Sequence, residues 1–202
     1  MTPLNGLILT GGYSRRMGQD KALINLEGTT LLDRTYNLLN SFIEQVYVSI
    51  RSDQSNEAER AQYPLIIDQV SYSGPIAGIL SAGDFNPHSG WLVVACDMPF
   101  LDRQTIDQLI DARNPETTAT LFQSIDGSGV EPLCAIYEPR FFTAISSDSK
   151  LIENSSPRET LSKMDLEILN PLNPDASSVR RTVRKSQSAS SMEDSRNVGT
   201  EP

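Results

Sequence analysis

The chain has 202 residues, enough for one domain with a sizeable core or for one domain and a tail. Its 26 acidic residues outnumber 17 basic ones, and the formal net charge of -9 argues against a general nucleic-acid binder. No apolar run approaches bilayer-spanning length and the first residues lack a signal-peptide layout, so we expect a cytoplasmic protein without membrane partners. The two cysteines, Cys96 and Cys134, stand far apart in apolar runs, which indicates buried thiols in a reducing compartment.

Short strand-like runs alternate with longer helical periods along the chain. In order, the pattern predicts a strand at 7–9, a helix at 30–43 capped by Thr29 or Thr30, strands at 46–50 and 65–67, a helix within 73–83, a strand at 91–96, a helix beginning near Asp102, strands at 118–123 and 131–137, and helices at 138–146 and 156–164. Several strands are apolar throughout, as in parallel sheets that helices cover on both sides. The sequence therefore predicts a three-layer α/β fold with a mostly parallel central sheet.

The composition changes near residue 177. From there the sequence has no leucine, isoleucine or aromatic residue, and serine dominates. Such a segment buries too little apolar surface to offset the entropy of ordering, so we predict one domain at 1–176 and a disordered tail at 177–202. The tail carries a basic cluster: Arg180, Arg181, Arg184 and Lys185. This cluster could contact a partner or nucleic acid, but a solvated tail is the favoured interpretation.

The predicted loop after the first strand, residues 10–21, combines glycines with basic side chains. In an open α/β sheet, ligands bind outside the carboxyl ends of the strands, where this loop lies. Glycines let backbone N–H groups approach phosphate oxygens, and hydroxyl and cationic side chains add further donors. The loop provides all of these in Gly11, Gly12, Ser14, Arg15, Arg16 and Lys21. It matches neither GxxxxGK[ST] nor GxGxxG, so a turn with surface arginines is the alternative to the anion site that we favour.

Two aspartates follow predicted strands. Asp97 closes the apolar run WLVVAC, and a carboxylate beside a phosphate-binding loop suits Mg²⁺, which bridges carboxylate and phosphate oxygens. A turn or N-cap role is the alternative for Asp97, but Asp102 is better placed to cap the next helix. Asp68 follows the strand at 65–67 in the same way, and there a turn former and a site residue are equal alternatives.

Four stretches resemble the molybdenum cofactor guanylyltransferase family, nucleotidyltransferases of the MobA-like type. LILTGGYSRRMGQDKAL at 7–23 is similar to the opening L-x-GG-x-S-x-R-M-G-x-D-K signature, and GPIAGI at 74–79 is similar to G-P-L-A-G at a helix start. VVACDMPFL at 93–101 resembles the strand that ends in a metal-binding aspartate, and VEPLCAIY at 130–137 resembles a later strand of the family. The resemblance spans most of residues 4–164 and implies a Rossmann-like nucleotidyltransferase fold.

The resemblance implies Mg²⁺-dependent transfer of GMP from GTP to molybdenum-bound molybdopterin, which yields the guanine dinucleotide cofactor and pyrophosphate. By position, it implies a backbone cradle for the nucleotide formed by Leu9, Thr10, Gly11 and Gly12. Arg15, Arg16 and Lys21 would hold the triphosphate, with the Ser14 hydroxyl beside them, and Asp97 would hold Mg²⁺. Further nucleotide contacts are implied for Arg51, Asp68 and Gly74. Transfer of this kind needs positioning and charge neutralisation rather than a protein nucleophile.

The chain departs from the family near residue 170. Family members usually end with an N-x-N-T-P-E-D turn on the molybdopterin side, whereas this chain has ILNPLNPD with Asn170 and Asn173. Two alternatives therefore stay open: nucleotidyl transfer to another phosphorylated acceptor, of cytidylyl or sugar-phosphate type, and a non-catalytic nucleotide-binding module that docks through its tail. Molybdoenzymes or cofactor-insertion proteins are the further partners implied. The sole histidine, His88, stands in a loop and is expected to be exposed.

Overall fold

The computed structural model of the chain describes residues 2–10, 20–69, 71–152 and 156–177. The strands in this part are β1 (Leu4–Leu9), β2 (Asn25–Leu26), β3 (Thr29–Thr30), β4 (Val46–Ile50), β5 (Leu65–Ile67), β6 (Gly90–Ala95), β7 (Ala119–Gln123), β8 (Val130–Tyr137) and β9 (Leu166–Leu169). The α-helices are α1 (Leu31–Asn40), α2 (Pro75–Phe85), α3 (Arg103–Asp111), α4 (Pro139–Ser147) and α5 (Pro157–Leu161). Short 3₁₀ turns occupy Lys21–Leu23, Ser52–Gln54 and Ser149–Leu151.

A seven-stranded sheet forms the centre, in the order β5-β4-β1-β6-β8-β7-β9. Strands β5, β4, β1 and β6 run parallel to one another. Strand β8 is antiparallel to both β6 and β7, and β9 is parallel to β7. The prediction of a mostly parallel sheet is confirmed, with β8 as the reversed strand.

Helices cover both faces of the sheet, because the inner strands carry apolar side chains on both faces. Leu7 and Leu9 of β1 belong to the core cluster that includes Ile79 of α2 and Phe141 of α4. Ile8, between them in β1, belongs to the other cluster, with Leu39 of α1 and Ile106 of α3. The alternation of side chains along one strand thus feeds two cores, and the three-layer α/β prediction is confirmed.

The predicted elements recur with small changes at their ends. Thr30 caps α1 by accepting a hydrogen bond from Asp33 N at 3.0 Å, and Asp102 caps α3 by accepting one from Thr105 N at 2.8 Å. Helix α1 ends at Asn40, three residues before the predicted end, and the Ser41 N–H and hydroxyl both donate to the Leu38 carbonyl there, at 3.2 and 2.7 Å. Helix α5 likewise ends at Leu161 rather than at residue 164.

Three strands are absent from the prediction. The β2–β3 hairpin consists of two residues on each side, too few to show a period. Strand β9 lies at the sheet edge with no buried residue, so its apolar pattern is weak.

Other expectations concern single residues and the tail. Both cysteines are free and buried, and His88 is exposed, as predicted. Ser177 is buried at the end of the described part, and the rest of the predicted tail lies outside the described residues. Within the described ranges no helix has the length and apolarity that crossing a bilayer requires.

Candidate active site

Strands β5, β4, β1 and β6 end at the same edge of the sheet because they are parallel. Thr10 follows β1, Arg51 follows β4, Asp68 follows β5, and Asp97 stands two residues after β6. After β1 the next strand of this sheet is β4, on one side, whereas after β6 the next strand is β7, on the other side. The two connections run in opposite directions and leave a crevice between the ends of β1 and β6. This is the place where open α/β sheets bind ligands. The structure therefore brings four of the predicted site residues to the ligand-binding edge.

Lys21 and Asp97 meet at this crevice. The Lys21 Nζ atom lies 3.0 Å from Asp97 Oδ2, although the two residues are 76 positions apart. The Lys21 side chain is 38% exposed and that of Asp97 is 17% exposed. The Cys96 N–H donates to the Leu9 carbonyl at 3.1 Å, so backbone pairing with β1 continues up to the residue before Asp97. The two predicted site residues are thus neighbours with accessible charges, a cation for phosphate oxygens and a carboxylate for a metal ion.

Asp20 fixes the backbone at Lys21, a role that its position in the sequence did not predict. Its Oδ1 atom accepts a hydrogen bond from Ala22 N at 3.0 Å, which caps the 3₁₀ turn Lys21–Leu23. Its Oδ2 atom accepts from Arg60 Nη2 at 2.6 Å and from Gln54 Nε2 at 3.3 Å. Both partners come from the turn-rich segment between β4 and β5. No periodicity in that segment indicates such a contact, so it could not be predicted from the sequence.

A second set of hydrogen bonds joins β1, β4 and β5. The Ser49 hydroxyl donates to Asp68 Oδ1 at 2.6 Å, and the Thr10 hydroxyl donates to the Ser49 carbonyl at 2.7 Å. Burial raises the pKa of Asp68, while the Ser49 hydrogen bond and the positive charge of Arg51 oppose this rise. The Thr10 hydroxyl is therefore engaged in a hydrogen bond within the fold, and any contact of Thr10 with a nucleotide would be made by its backbone.

Helix α2 begins beside this edge at Gly74, whose φ of +74° favours glycine. Pro75 is the first residue of the helix, where its missing N–H removes no hydrogen bond. Further along, a Cβ atom at Gly78 would lie 2.4 Å from Ser49 Oγ and 2.7 Å from Leu9 Cδ2. The glycine at 78 thus allows α2 to approach the ends of β1 and β4.

Glu131 extends the site toward the antiparallel half. Burial raises the pKa of Glu131; the Leu133 N–H and Arg158 oppose the rise, and the Asp97 charge adds to it. Glu131 and Asp97 are therefore within electrostatic reach of each other, and Arg158 Nη2 lies 4.0 Å from Glu131 Oε2. Arg158 also borders a cavity of about 570 Å³ between the β7–β8 turn and α5. The motif at 130–137 did not predict a role for Glu131.

The remaining predicted site residues divide into two groups. Five of them lie outside the described residues: Gly11, Gly12, Ser14, Arg15 and Arg16. Arg51 is described, and its Nε and Nη2 atoms donate to the two carboxylate oxygens of Asp53 at 2.9 and 3.2 Å. Leu9 is buried at the end of β1. The nucleotide-binding roles of all these residues stay predictions.

A metal ion at this edge would be held mainly by Asp97. Among the described residues there is no group of three or more histidine, cysteine or acidic side chains that could form a metal cage. A single, partly exposed carboxylate nevertheless suits Mg²⁺, which keeps several waters and binds through one or two carboxylates plus substrate phosphates. The donor set at Asp97 therefore fits Mg²⁺ brought in with a nucleotide.

The fold and this edge define an α/β nucleotidyltransferase. A nucleotidyl transferase from Methanothermobacter has the same fold, with a TM-score of 0.73 at 12% identity over 96% of this chain and 100% of that one. A molybdopterin-guanine dinucleotide biosynthesis protein A from Archaeoglobus fulgidus matches with a TM-score of 0.67 at 22% identity, over 82% and 83% of the two chains. The chain belongs to the MobA-like NTP transferase family, because the profile of that domain matches residues 6–165. The resemblance stated from the motifs is confirmed.

Curated relatives place the chain within this family. A molybdenum cofactor biosynthesis bifunctional protein from Synechocystis is 35% identical over 172 residues, which are 85% of this chain and 49% of that protein. The chain thus spans about half the length of this relative. A molybdenum cofactor guanylyltransferase from Shewanella frigidimarina is 30% identical over 146 residues, 71% of this chain and 74% of the relative. The alternative of a non-catalytic binding module is not favoured by these matches.

Proposed function

We propose that the protein transfers GMP from GTP to molybdenum-bound molybdopterin in a Mg²⁺-dependent reaction. A phosphate oxygen of molybdopterin attacks the α-phosphorus of GTP, the bond to the bridging α–β oxygen breaks, and pyrophosphate leaves. The products are the guanine dinucleotide form of the cofactor and pyrophosphate. The observation that carries the proposal is the contact between Lys21 Nζ and Asp97 Oδ2, 3.0 Å apart at the crevice between β1 and β6.

Lys21 has the chemistry that this reaction needs. An ammonium group stabilises the negative charge that develops on the α-phosphate and on departing pyrophosphate, and it does so best when it is positioned in advance. The proposal gives Arg15 and Arg16 the same task. It assigns the nucleotide contacts to the backbone of residues 9–12 and to Ser14, Arg51, Asp68 and Gly74.

Asp97 would hold the Mg²⁺ ion. When bound, the ion neutralises charge on the triphosphate. The carboxylate is mostly buried but still reachable, and its position is set by the β1–β6 backbone pairing up to Cys96. Because Asp97 Oδ2 lies 3.0 Å from Lys21 Nζ, the carboxylate and the ammonium would contact one triphosphate.

The acceptor would enter from the antiparallel half of the sheet. The cavity of about 570 Å³ bordered by Arg158 and Gln123 lies where β7 ends and β8 begins, and β8 starts near the end of β6. A guanidinium at its border supplies a partner for an acceptor phosphate. Molybdoenzymes or cofactor-insertion proteins would receive the product, and a cytoplasmic location is part of the same proposal.

Pyrophosphate release tests the proposal directly. Purified protein is incubated with Mg²⁺, molybdenum-loaded molybdopterin and each of the four NTPs in turn, and pyrophosphate is measured with a coupled enzyme assay. We expect release with GTP, loss of release without Mg²⁺, and loss in Asp97→Asn. Asp111→Asn, a carboxylate change at the exposed end of α3, is the matched control and should keep full activity. Activity with a different nucleotide or with another phosphorylated acceptor would contradict the proposal.

A further inference from the structure

We infer that Arg60 is a positioning residue that acts through Asp20 to hold Lys21 against Asp97. The inference rests on the proposed function for the role of Lys21 itself. It concerns a residue 40 positions from Asp20 along the chain, in the irregular segment between β4 and β5. The chain of contacts runs from Arg60 to Asp20, from Asp20 to the backbone at residues 20–22, and from Lys21 to Asp97.

Arg60 is one of the largest fully buried side chains among the described residues, with 0% of its surface exposed. Its Nη2 atom donates to Asp20 Oδ2 at 2.6 Å, and its Nη1 atom donates to Glu57. Its Nε atom is buried without a hydrogen-bond partner in the described part of the chain. Burying a guanidinium is costly unless it is paired and hydrogen-bonded. The hydrogen bonds to Asp20 and Glu57 offset this cost, and the one to Asp20 links Arg60 to the turn that carries Lys21.

Asp20 links Arg60 to the backbone of the turn at Lys21. Its Oδ2 atom accepts hydrogen bonds from Arg60 and Gln54, and its Oδ1 atom accepts one from the Ala22 N–H. The side chain therefore cannot rotate without breaking either the arginine contact or the cap. Ala22 is fully buried and the Ile24 N–H donates to the Lys21 carbonyl at 3.2 Å, so the turn that carries Lys21 is anchored on both sides.

Two ion pairs link these four charged residues into one cluster. Arg60 Nη2 lies 2.6 Å from Asp20 Oδ2, and Lys21 Nζ lies 3.0 Å from Asp97 Oδ2. Because Asp20 and Lys21 are adjacent in the chain and Asp20 caps the turn Lys21–Leu23, this turn connects the two ion pairs.

This cluster has a consequence for catalysis. Lys21 carries its ammonium on a flexible four-carbon stem, so the position of its backbone decides which oxygens Nζ can reach. A displacement of about 1 Å at a catalytic group can cost about 100-fold in rate. Loss of Arg60 should therefore lower kcat more than it changes KM for GTP, since a loosened lysine still contacts the ground-state triphosphate.

The test compares Arg60→Met with Arg113→Met in the full chain. Arg113 is the matched control because it is also a nearly buried arginine, paired with Glu138 at 2.6 Å, but it binds the backbone of Thr2 and Pro3, before β1 begins. Both variants are assayed well below their measured melting temperatures. One readout is pyrophosphate release with varied GTP, and the other is amide hydrogen exchange at residues 20–24. Arg60→Lys, which keeps the charge without the guanidinium fork, serves if Arg60→Met does not fold.

We expect Arg60→Met to lower kcat by about 10- to 100-fold and to speed amide exchange at Ala22 by about 10-fold or more. In an Asp20→Ala background the same change should have no further effect on kcat, because both the cap and the acceptor for Arg60 are already removed. Arg113→Met should leave kcat and the exchange at 20–24 unchanged. The inference is overturned if exchange at Ala22 stays at the wild-type rate, or if both arginine variants lose activity in proportion to their melting temperatures. Absence of pyrophosphate release from the wild type would defeat the proposed function alone, and the exchange data would still decide whether Arg60 holds the turn.

Discussion

Replacing Lys21 by methionine separates catalysis from stability. The change keeps most of the side-chain length and removes the ammonium that lies 3.0 Å from Asp97. A preorganised donor aimed at a developing negative charge contributes about 100- to 1,000-fold in kcat. The Lys21 side chain is 38% exposed, so solvent weakens its interactions, and we expect the lower end, a loss of about 100-fold.

The same substitution should hardly change the fold. Ion pairs with this much exposure contribute about 0 to 1 kcal/mol to stability, which corresponds to a shift in melting temperature of at most about 4 °C. The assay is steady-state pyrophosphate release beside a thermal melt of the same preparation. Lys163→Met, at an exposed lysine after α5, is the control and should retain full kcat. A loss of kcat below about 3-fold, against the 100-fold expected of such a donor, would refute the assignment of Lys21. So would a loss that follows the melting temperature.

Three further predictions concern stability and its pH dependence. Gly78→Ala should destabilise the fold by about 1 to 3 kcal/mol in urea unfolding, because the new methyl group would meet Ser49 and Leu9 at 2.4 and 2.7 Å; an unchanged midpoint would contradict the close approach of α2. Thr30→Ala should cost about 1 kcal/mol through loss of the α1 cap while Thr30→Ser costs much less, and equal losses would be inconsistent with capping. Burial raises the pKa of Asp68, so the stability that its protonated form provides at low pH is lost as the pH rises through that raised value. Asp68→Asn, measured by urea unfolding, should therefore gain stability relative to the wild type between about pH 4 and pH 7, and a constant or falling difference would show that the carboxylate is not disfavoured in the folded protein.

The strands and helices follow from the sequence where apolar residues repeat over enough positions. Strand β6 is apolar throughout because both of its faces are buried, and the caps at Thr30 and Asp102 are visible as single residues before helical periods. The β2–β3 hairpin and β9 could not be predicted in this way, since two residues show no period and an edge strand has no fully buried face.

In the candidate site, too, some residues could be predicted from the sequence and others could not. The proximity of Asp97 and Lys21 was predictable because Asp97 follows the end of β6 and Lys21 belongs to the predicted basic loop after β1, the strand that pairs with β6. The proximity of Asp20 and Arg60 was not, because their contact joins residues 40 positions apart through an irregular segment. A glutamate and an arginine three residues apart, such as Glu57 and Arg60, indicate a local ion pair only. Nothing in the spacing says that the same guanidinium also supports the turn at Lys21.

Calorimetric titration of nucleotide with and without Mg²⁺ tests most directly whether one metal-bound triphosphate contacts both sides of the crevice. The wild type should bind GTP more tightly than the other three NTPs, and Mg²⁺ should strengthen that binding. In Asp97→Asn the strengthening by Mg²⁺ should vanish, and in Lys21→Met the affinity should fall whether or not Mg²⁺ is present. If Asp97→Asn binds GTP with the same dependence on Mg²⁺ as the wild type, the carboxylate at the end of β6 does not meet the metal-bound triphosphate and the account is wrong.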